Sequence, residues 1–173
     1  EELLYKNQSM NNHLKMVESD ISLARNIQRL MMPSDHYSNN IYSIAYRMLP
    51  QKNLCSDFVD YRLLSDGKEL VMCLADVAGH GLAPALVAAQ IKASFSASIN
   101  SSIERIAHEV NKLIFEVGSG GTIATAVFGR YDSTRSRMDI INAGHVDVMI
   151  YNGDSVEIYS SSYPPLGVSD SEE

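Results

Sequence analysis

The run Leu70-Val71-Met72-Cys73-Leu74-Ala75 contains no polar side chain and is closed on its carboxyl side by Asp76. A short apolar run bounded by turn residues predicts a buried strand. A second strand is predicted over Phe58–Leu64, and Ser65-Asp66-Gly67 between the two is a good hairpin turn. An antiparallel hairpin sets the start of one strand beside the end of the next, so Asp57 and Asp76 are expected at adjacent strand ends. An ionised Asp at the end of a buried strand is costly unless it is paired or coordinated to a cation. Carboxylate and backbone carbonyl oxygens suit magnesium or manganese better than zinc. The Gly79-His80-Gly81 turn that follows lets the backbone approach a ligand closely. The competing reading is that Asp76 merely caps the helix after it.

The first 32 residues hold neither Gly nor Pro and end at Pro33, which predicts one long helix. Within it Leu3, Asn7, Met10, Leu14, Val17, Ile21, Ala24, Gln28 and Met31 recur at alternating steps of four and three, a heptad seam that needs a partner helix. Asn7 and Gln28 at seam positions favour a defined register and a parallel dimer. A second stripe, Leu23, Ile27 and Leu30, is expected to dock on the domain that follows. The alternative is an amphipathic helix packed wholly on its own domain.

Beyond the helix, strands are predicted over Ile41–Met48, Thr122–Tyr131, Met138–Asn142, Val146–Tyr151 and Val156–Ser160, with Asn152-Gly153 a hairpin signal. Two helices are predicted between them. Leu82–Ile99 is alanine-rich with Pro84 in its first turn, and Ile103–Val117 is preceded by a capping box from Ser101 to Glu104. The glycine cluster Gly118-Ser119-Gly120-Gly121 breaks the chain, either as a flexible loop or at a place where the natural chain carries further residues. Strands, two helices, then strands define an α+β class whose helices cover antiparallel sheets.

The chain has 173 residues, a formal net charge of −7 and a pI near 5.2, enough for one domain plus an extension. The acidic balance and scattered Lys and Arg exclude a nucleic-acid interface from the expected functions. No apolar run approaches the roughly 18 residues of a membrane span, which places the expected protein in the cytoplasm without membrane contact. Cys55 and Cys73 are the only cysteines, too few for a disulfide framework or a zinc site, and Cys73 reads as core packing.

Four segments stand in an order that resembles the RsbU/SpoIIE-type branch of the metal-dependent PPM protein phosphatases. They are Asp57-Phe58-Val59-Asp60-Tyr61, Asp76-Val77-Ala78-Gly79-His80-Gly81, Asn142-Ala143-Gly144-His145 and Pro165-Leu166-Gly167. Ala24–Pro33 also resembles the helix before that domain, and Thr125-Ala126-Val127-Phe128-Gly129 its threonine-containing core strand. The resemblance implies a β-sandwich of antiparallel sheets flanked by helices, at residues 34–173, behind a coiled-coil linker helix at 1–33. It further implies two divalent cations, manganese or magnesium, bridging a water that attacks phosphoserine or phosphothreonine in line. Asp57 and Asp76 would be the catalytic metal-bridging carboxylates, with the backbone carbonyl of Val77 a further ligand and Asp60 either structural or a support behind the ligands. The implied substrate is a phosphorylated STAS-type anti-sigma-factor antagonist, under an upstream sensor or receiver domain.

For His80 a general-acid role and a loop-fixing role are both open. His145 is either a phosphate or ligand contact or part of a turn whose Asn and Gly supply left-handed backbone. Thr122 and Thr125 are accounted for by β-propensity. Two positions depart from the family pattern. Ser56 stands where the family has Gly and is expected to crowd the metal loop, and no Thr-Asp-Gly strand follows Pro165-Leu166-Gly167. Asp170, Glu172 and Glu173 lie in a polar tail without that context. The expectation is a domain whose C-terminal part is missing from the chain. The alternative is a pseudophosphatase that serves as a binding adaptor, like response-regulator outputs of the RssB type, which Tyr46-Arg47-Met48-Leu49-Pro50 resembles.

Overall fold

The computed structural model describes residues 2–49, 54–118 and 121–170. Glu172, Glu173, Pro50, Ser119 and Gly120 of the segments above lie outside the described residues. Helix α1 spans Glu2–Met31, strands β1 and β2 His36–Ser38 and Ser43–Ala45, and β3 and β4 Asp57–Leu64 and Glu69–Val77. Helices α2 (Leu82–Ser98) and α3 (Ile103–Gly118) follow, then β5 (Ala124–Asp132), β6 (Arg137–Ala143), β7 (Val148–Tyr151) and β8 (Val156–Tyr159). This is the expected α+β class with an N-terminal long helix.

The centre is a four-stranded antiparallel sheet in the order β3-β4-β5-β6. Side chains alternate across a strand, and the row Phe58, Val71, Cys73, Ala75, Val77, Ala126 and Phe128 turns inward. There it meets Val87, Ile91 and Phe95 of α2 and Ile106, Val110 and Ile114 of α3. The β3–β4 turn puts Ser65, Asp66 and Gly67 all at positive φ, where Gly67 is at no steric disadvantage. At the α3 start the cap differs from expectation. Ser102 Oγ, not Ser101, accepts from Arg105 N–H at 3.4 Å, since the helix begins at Ile103 and Ser102 is the residue before it.

On the other face of the sheet, β1 and β2 form a hairpin in place of the single strand expected over Ile41–Met48. Asn39 explains this: its Oδ1 accepts from the N–H groups of Ile41 and Tyr42, closing a turn that pattern alone did not show. Tyr37 and Tyr42 stack against Tyr61 and Tyr131 with ring centroids 6.4 Å apart, which lays the hairpin on the sheet. The β7–β8 hairpin turns at Asn152-Gly153 as expected, with Asn152 Oδ1 accepting from Asp154 and Ser155 N–H.

Helix α1 has no buried residue. Its seam residues Leu3, Met10, Leu14 and Val17 are exposed, Leu3 at 84%. Near its C-terminal end the expected roles of the two stripes are exchanged. Ile21, Ala24, Gln28 and Met31 of the seam are half-buried beside Leu54 and Leu82, whereas Leu23, Ile27 and Leu30 are exposed, Leu30 at 82%. The rotation is set by Gln28, whose side-chain amide donates to the Cys55 carbonyl at 2.6 Å and accepts from Cys55 N–H at 2.9 Å. Gln28 therefore serves the domain and not the seam position assigned to it.

Candidate metal and active site

Strand register settles where the two carboxylates lie. Asp57 on β3 is directly opposite Asp76 on β4, and Asp76 is directly opposite Thr125 on β5. Directly opposed residues share a face, so the three form one row across the end of the sheet. The neighbours Phe58, Ala75 and Val77 are buried under the helices, which puts this row on the face away from α2 and α3. Both Asp57 and Asp76 are exposed. Neither is the buried strand-end carboxylate expected from the apolar run, and Asp76 does not cap α2: the cap residue is Gly81, at φ 98 with no side-chain bond.

Partial burial of the Asp76 carboxyl lifts its pKa first, the charge of Asp57 and a hydrogen bond to Asp57 lift it further, and His145 pulls it back. A carboxyl lifted above the ordinary range by a second carboxylate beside it marks a place where a cation is electrostatically welcome. All-oxygen donors at a glycine-bounded turn fit magnesium or manganese. Among the described residues no third His, Cys, Asp or Glu joins them in a metal-holding group. Val77 follows with its side chain fully buried, and its N–H donates to the Ser56 carbonyl at 3.4 Å. That anchors the backbone from which the expected carbonyl ligand would come.

Loops around the pair are held from three directions. Gln28 grips Cys55, Ala78 N–H donates to the Ile123 carbonyl at 2.9 Å, and Cys55 Sγ lies 3.8 Å from Asp57 Oδ2. Ser56 is not among the positive-φ residues. Its backbone makes no demand for glycine. Asp60 points the other way, into the helix layer. It is fully buried, 2.6 Å from Lys92 Nζ on α2 and 3.1 Å from Arg62, and its Oδ1 accepts from Tyr61 N–H. Its role is structural, as expected. His80 is exposed between Gly79 and Gly81, both at positive φ.

The two remaining motifs turn out to be one joint. Gly144 has φ +68, and a Cβ there would lie 2.5 Å from Pro165 Cγ. Leu166 exchanges both backbone hydrogen bonds with Ala124, the residue beside Thr125. Gly167 is held by Asn111 Oδ1 at 2.8 Å, and a Cβ on it would lie 2.6 Å from Ile114 Cγ2 and the Thr122 carbonyl. Asn142 braces the turn from within, accepting from His145 N–H at 2.9 Å and donating to the Val146 carbonyl at 3.0 Å. The outcome is that His145 Nδ1 sits 2.7 Å from Thr125 Oγ1, beside Asp76. Reading Thr125 as a strand former missed this, because only the β4–β5 register aligns it with the carboxylates.

These features define a PPM-type phosphatase domain. The family model for stage II sporulation protein E (SpoIIE) matches residues 66–173, more than half of the chain, and the chain belongs to that family. The match takes in Asp76, Thr125 and His145, while Asp57 precedes it. Phosphoserine phosphatase RsbU of Bacillus subtilis is 20% identical over 138 residues, covering 79% of this chain and 41% of RsbU. The chain thus spans about two fifths of that relative's length. The SiaA-PP2C domain of Pseudomonas aeruginosa superposes with a TM-score of 0.73 at 19% identity, over 91% of this chain and 65% of that one. RsbX, solved in complex with magnesium, gives a TM-score of 0.59 at 19% identity, over 69% and 57% of the two chains. Both likenesses establish the fold. Among the described residues no helix is long and apolar enough to cross a membrane.

Proposed function

We propose that this domain belongs to a signalling phosphatase that removes phosphate from a phosphoserine or phosphothreonine of a regulatory protein, using divalent manganese or magnesium. The observation that carries the reading is the Asp57–Asp76 pair, set face to face by strand register at an open sheet end. The relative named phosphoserine phosphatase and the magnesium complex of the fold neighbour RsbX support the same chemistry. Bound cations would lower the pKa of a water and neutralise phosphate charge. Asp57 and Asp76 would hold them, the Val77 carbonyl would add a ligand, and the bonds from Gln28 and Ser56 keep both loops from drifting.

The substrate class we favour is a phosphorylated STAS-type antagonist in sigma-factor regulation. We further propose that the protein is a homodimer through α1, whose exposed Leu3-to-Val17 seam supports that assembly. The competing reading is an adaptor that keeps the fold for binding, and hydrolysis separates the two. Full-length protein with manganese should release phosphate from a phosphoserine protein, and Asp76→Asn should lower the rate by about a hundredfold or more, the scale of losing a transition-state electrostatic contact. A parent protein that releases no phosphate from several phosphoproteins, while still binding one of them, replaces the enzyme by the adaptor.

A further inference from the structure

Thr125 and His145 stand at the end of the carboxylate row. Two observations meet there. Thr125 is in cross-strand register with Asp76, and its Oγ1 is 2.7 Å from His145 Nδ1. The turn that carries His145 is fixed by Asn142 on both sides, by the packing of Gly144 on Pro165, and by a backbone bridge between Gly144 and Ala126. A turn needed only to connect β6 and β7 does not require its last side chain to be oriented by a hydroxyl from the neighbouring strand.

We propose that His145 is a phosphate-binding residue of this site, with Thr125 its positioning residue. The inference rests on the phosphatase reading above. When the Thr125 hydroxyl donates to Nδ1, the ring is left with its N–H on Nε2 as a donor. Adjacent strands lie roughly 4.8 Å apart, so Thr125, the residue that holds the ring, is one strand away from Asp76. A phosphate bound at the carboxylate pair would lie on the sheet face that Asp76 shares with Thr125. A donor here helps because the two carboxylates alone repel a phosphate dianion, and fixed donors at such a position need no reorganisation when the ligand arrives. The ligand class is a phosphomonoester dianion, and inorganic phosphate is its smallest representative.

The test is binding of inorganic phosphate to full-length, magnesium-loaded protein by calorimetry, with competitive inhibition of p-nitrophenyl phosphate hydrolysis measured in parallel. His145→Gln should weaken phosphate binding roughly tenfold or more, the scale of a hydrogen bond to a charged group, while the thermal shift produced by magnesium stays at the parent value. Thr125→Val should weaken binding in the same direction by less, and Thr125→Ser should restore it. In the parent, phosphate should move the His145 Nε2 resonance in a nitrogen NMR spectrum. Equal phosphate affinity in the parent and in His145→Gln overturns the inference alone. Loss of the magnesium shift in His145→Gln also overturns it, by assigning the residue to the metal site or the fold. A parent that binds magnesium but neither phosphate nor ester removes the phosphatase reading and this inference together.

Discussion

Asp57 and Asp76 face each other across β3 and β4, and the arrangement has a sign that can be measured. Because the folded state holds the Asp76 carboxyl above its ordinary value of 3.8, folding favours the protonated form. That contribution is fully present at pH below the unfolded value and is lost as pH rises through the higher folded one. The metal-free protein should therefore lose stability relative to Asp76→Asn as pH rises above about 4, the ordinary carboxylate value. At neutral pH, Asp76→Asn should melt higher than the parent when both are chelated. Added manganese should raise the melting temperature of the parent, by mass action on the folded state, and leave Asp76→Asn unmoved. A chelated Asp76→Asn that melts below the parent contradicts the repulsive pair. Ser56→Gly should leave the manganese response unchanged, since Ser56 has ordinary backbone geometry.

At the scale of elements, α2 and β3 are tied by a buried ion pair. Asp60 on β3 is wholly buried and Lys92 on α2 nearly so, 2.6 Å apart and with the ammonium 5.8 Å from the Phe58 ring centroid. Such pairs contribute little net stability compared with a packed apolar pair, but removing one partner strands a charge. Lys92→Met should cost on the order of 3 kcal/mol in urea denaturation, softened by Arg62 at 3.1 Å. The double change Asp60→Leu with Lys92→Met should recover most of that loss. A single variant as stable as the parent would show that Asp60 takes up a proton or water in place of the ammonium. Asp60 follows Asp57 on the same strand, so this tie fixes the strand that carries the first carboxylate against the middle of α2.

Over the whole molecule, α1 is an element whose surface the domain leaves largely uncovered. Its N-terminal two thirds present Leu3, Met10, Leu14 and Val17, and its last turns lie on the domain through Ile21, Ala24, Gln28 and Met31. Light scattering at micromolar concentration should find a dimer, and Met10→Asp with Leu14→Asp should yield a monomer, because a seam has no counter-ion for a buried carboxylate. A monomeric parent, or a dimeric double variant, excludes this seam. Gln28 connects that helix to the backbone two residues before Asp57. A rotation of α1 would thus pull on the carboxylate loop through a pair of hydrogen bonds.

The sequence by itself determined the elements: a Gly- and Pro-free helix, a strand ending in Asp76, the hairpin turns at Ser65-Asp66-Gly67 and Asn152-Gly153, and two helices between strands. Local propensity and periodicity write these into neighbouring residues. It also placed Asp57 beside Asp76, because a short hairpin turn fixes register without help from the rest of the chain. Only the tertiary structure decided which face each side chain takes and what lies across it. Thr125 joined the carboxylates through the β4–β5 ladder, between residues 49 positions apart. Gln28 left its heptad to grip Cys55, Asp60 turned inward to Lys92, and Gly144 met Pro165. Each is a contact between distant segments, set by how sheet and helices stack, and no local pattern of residues encodes it.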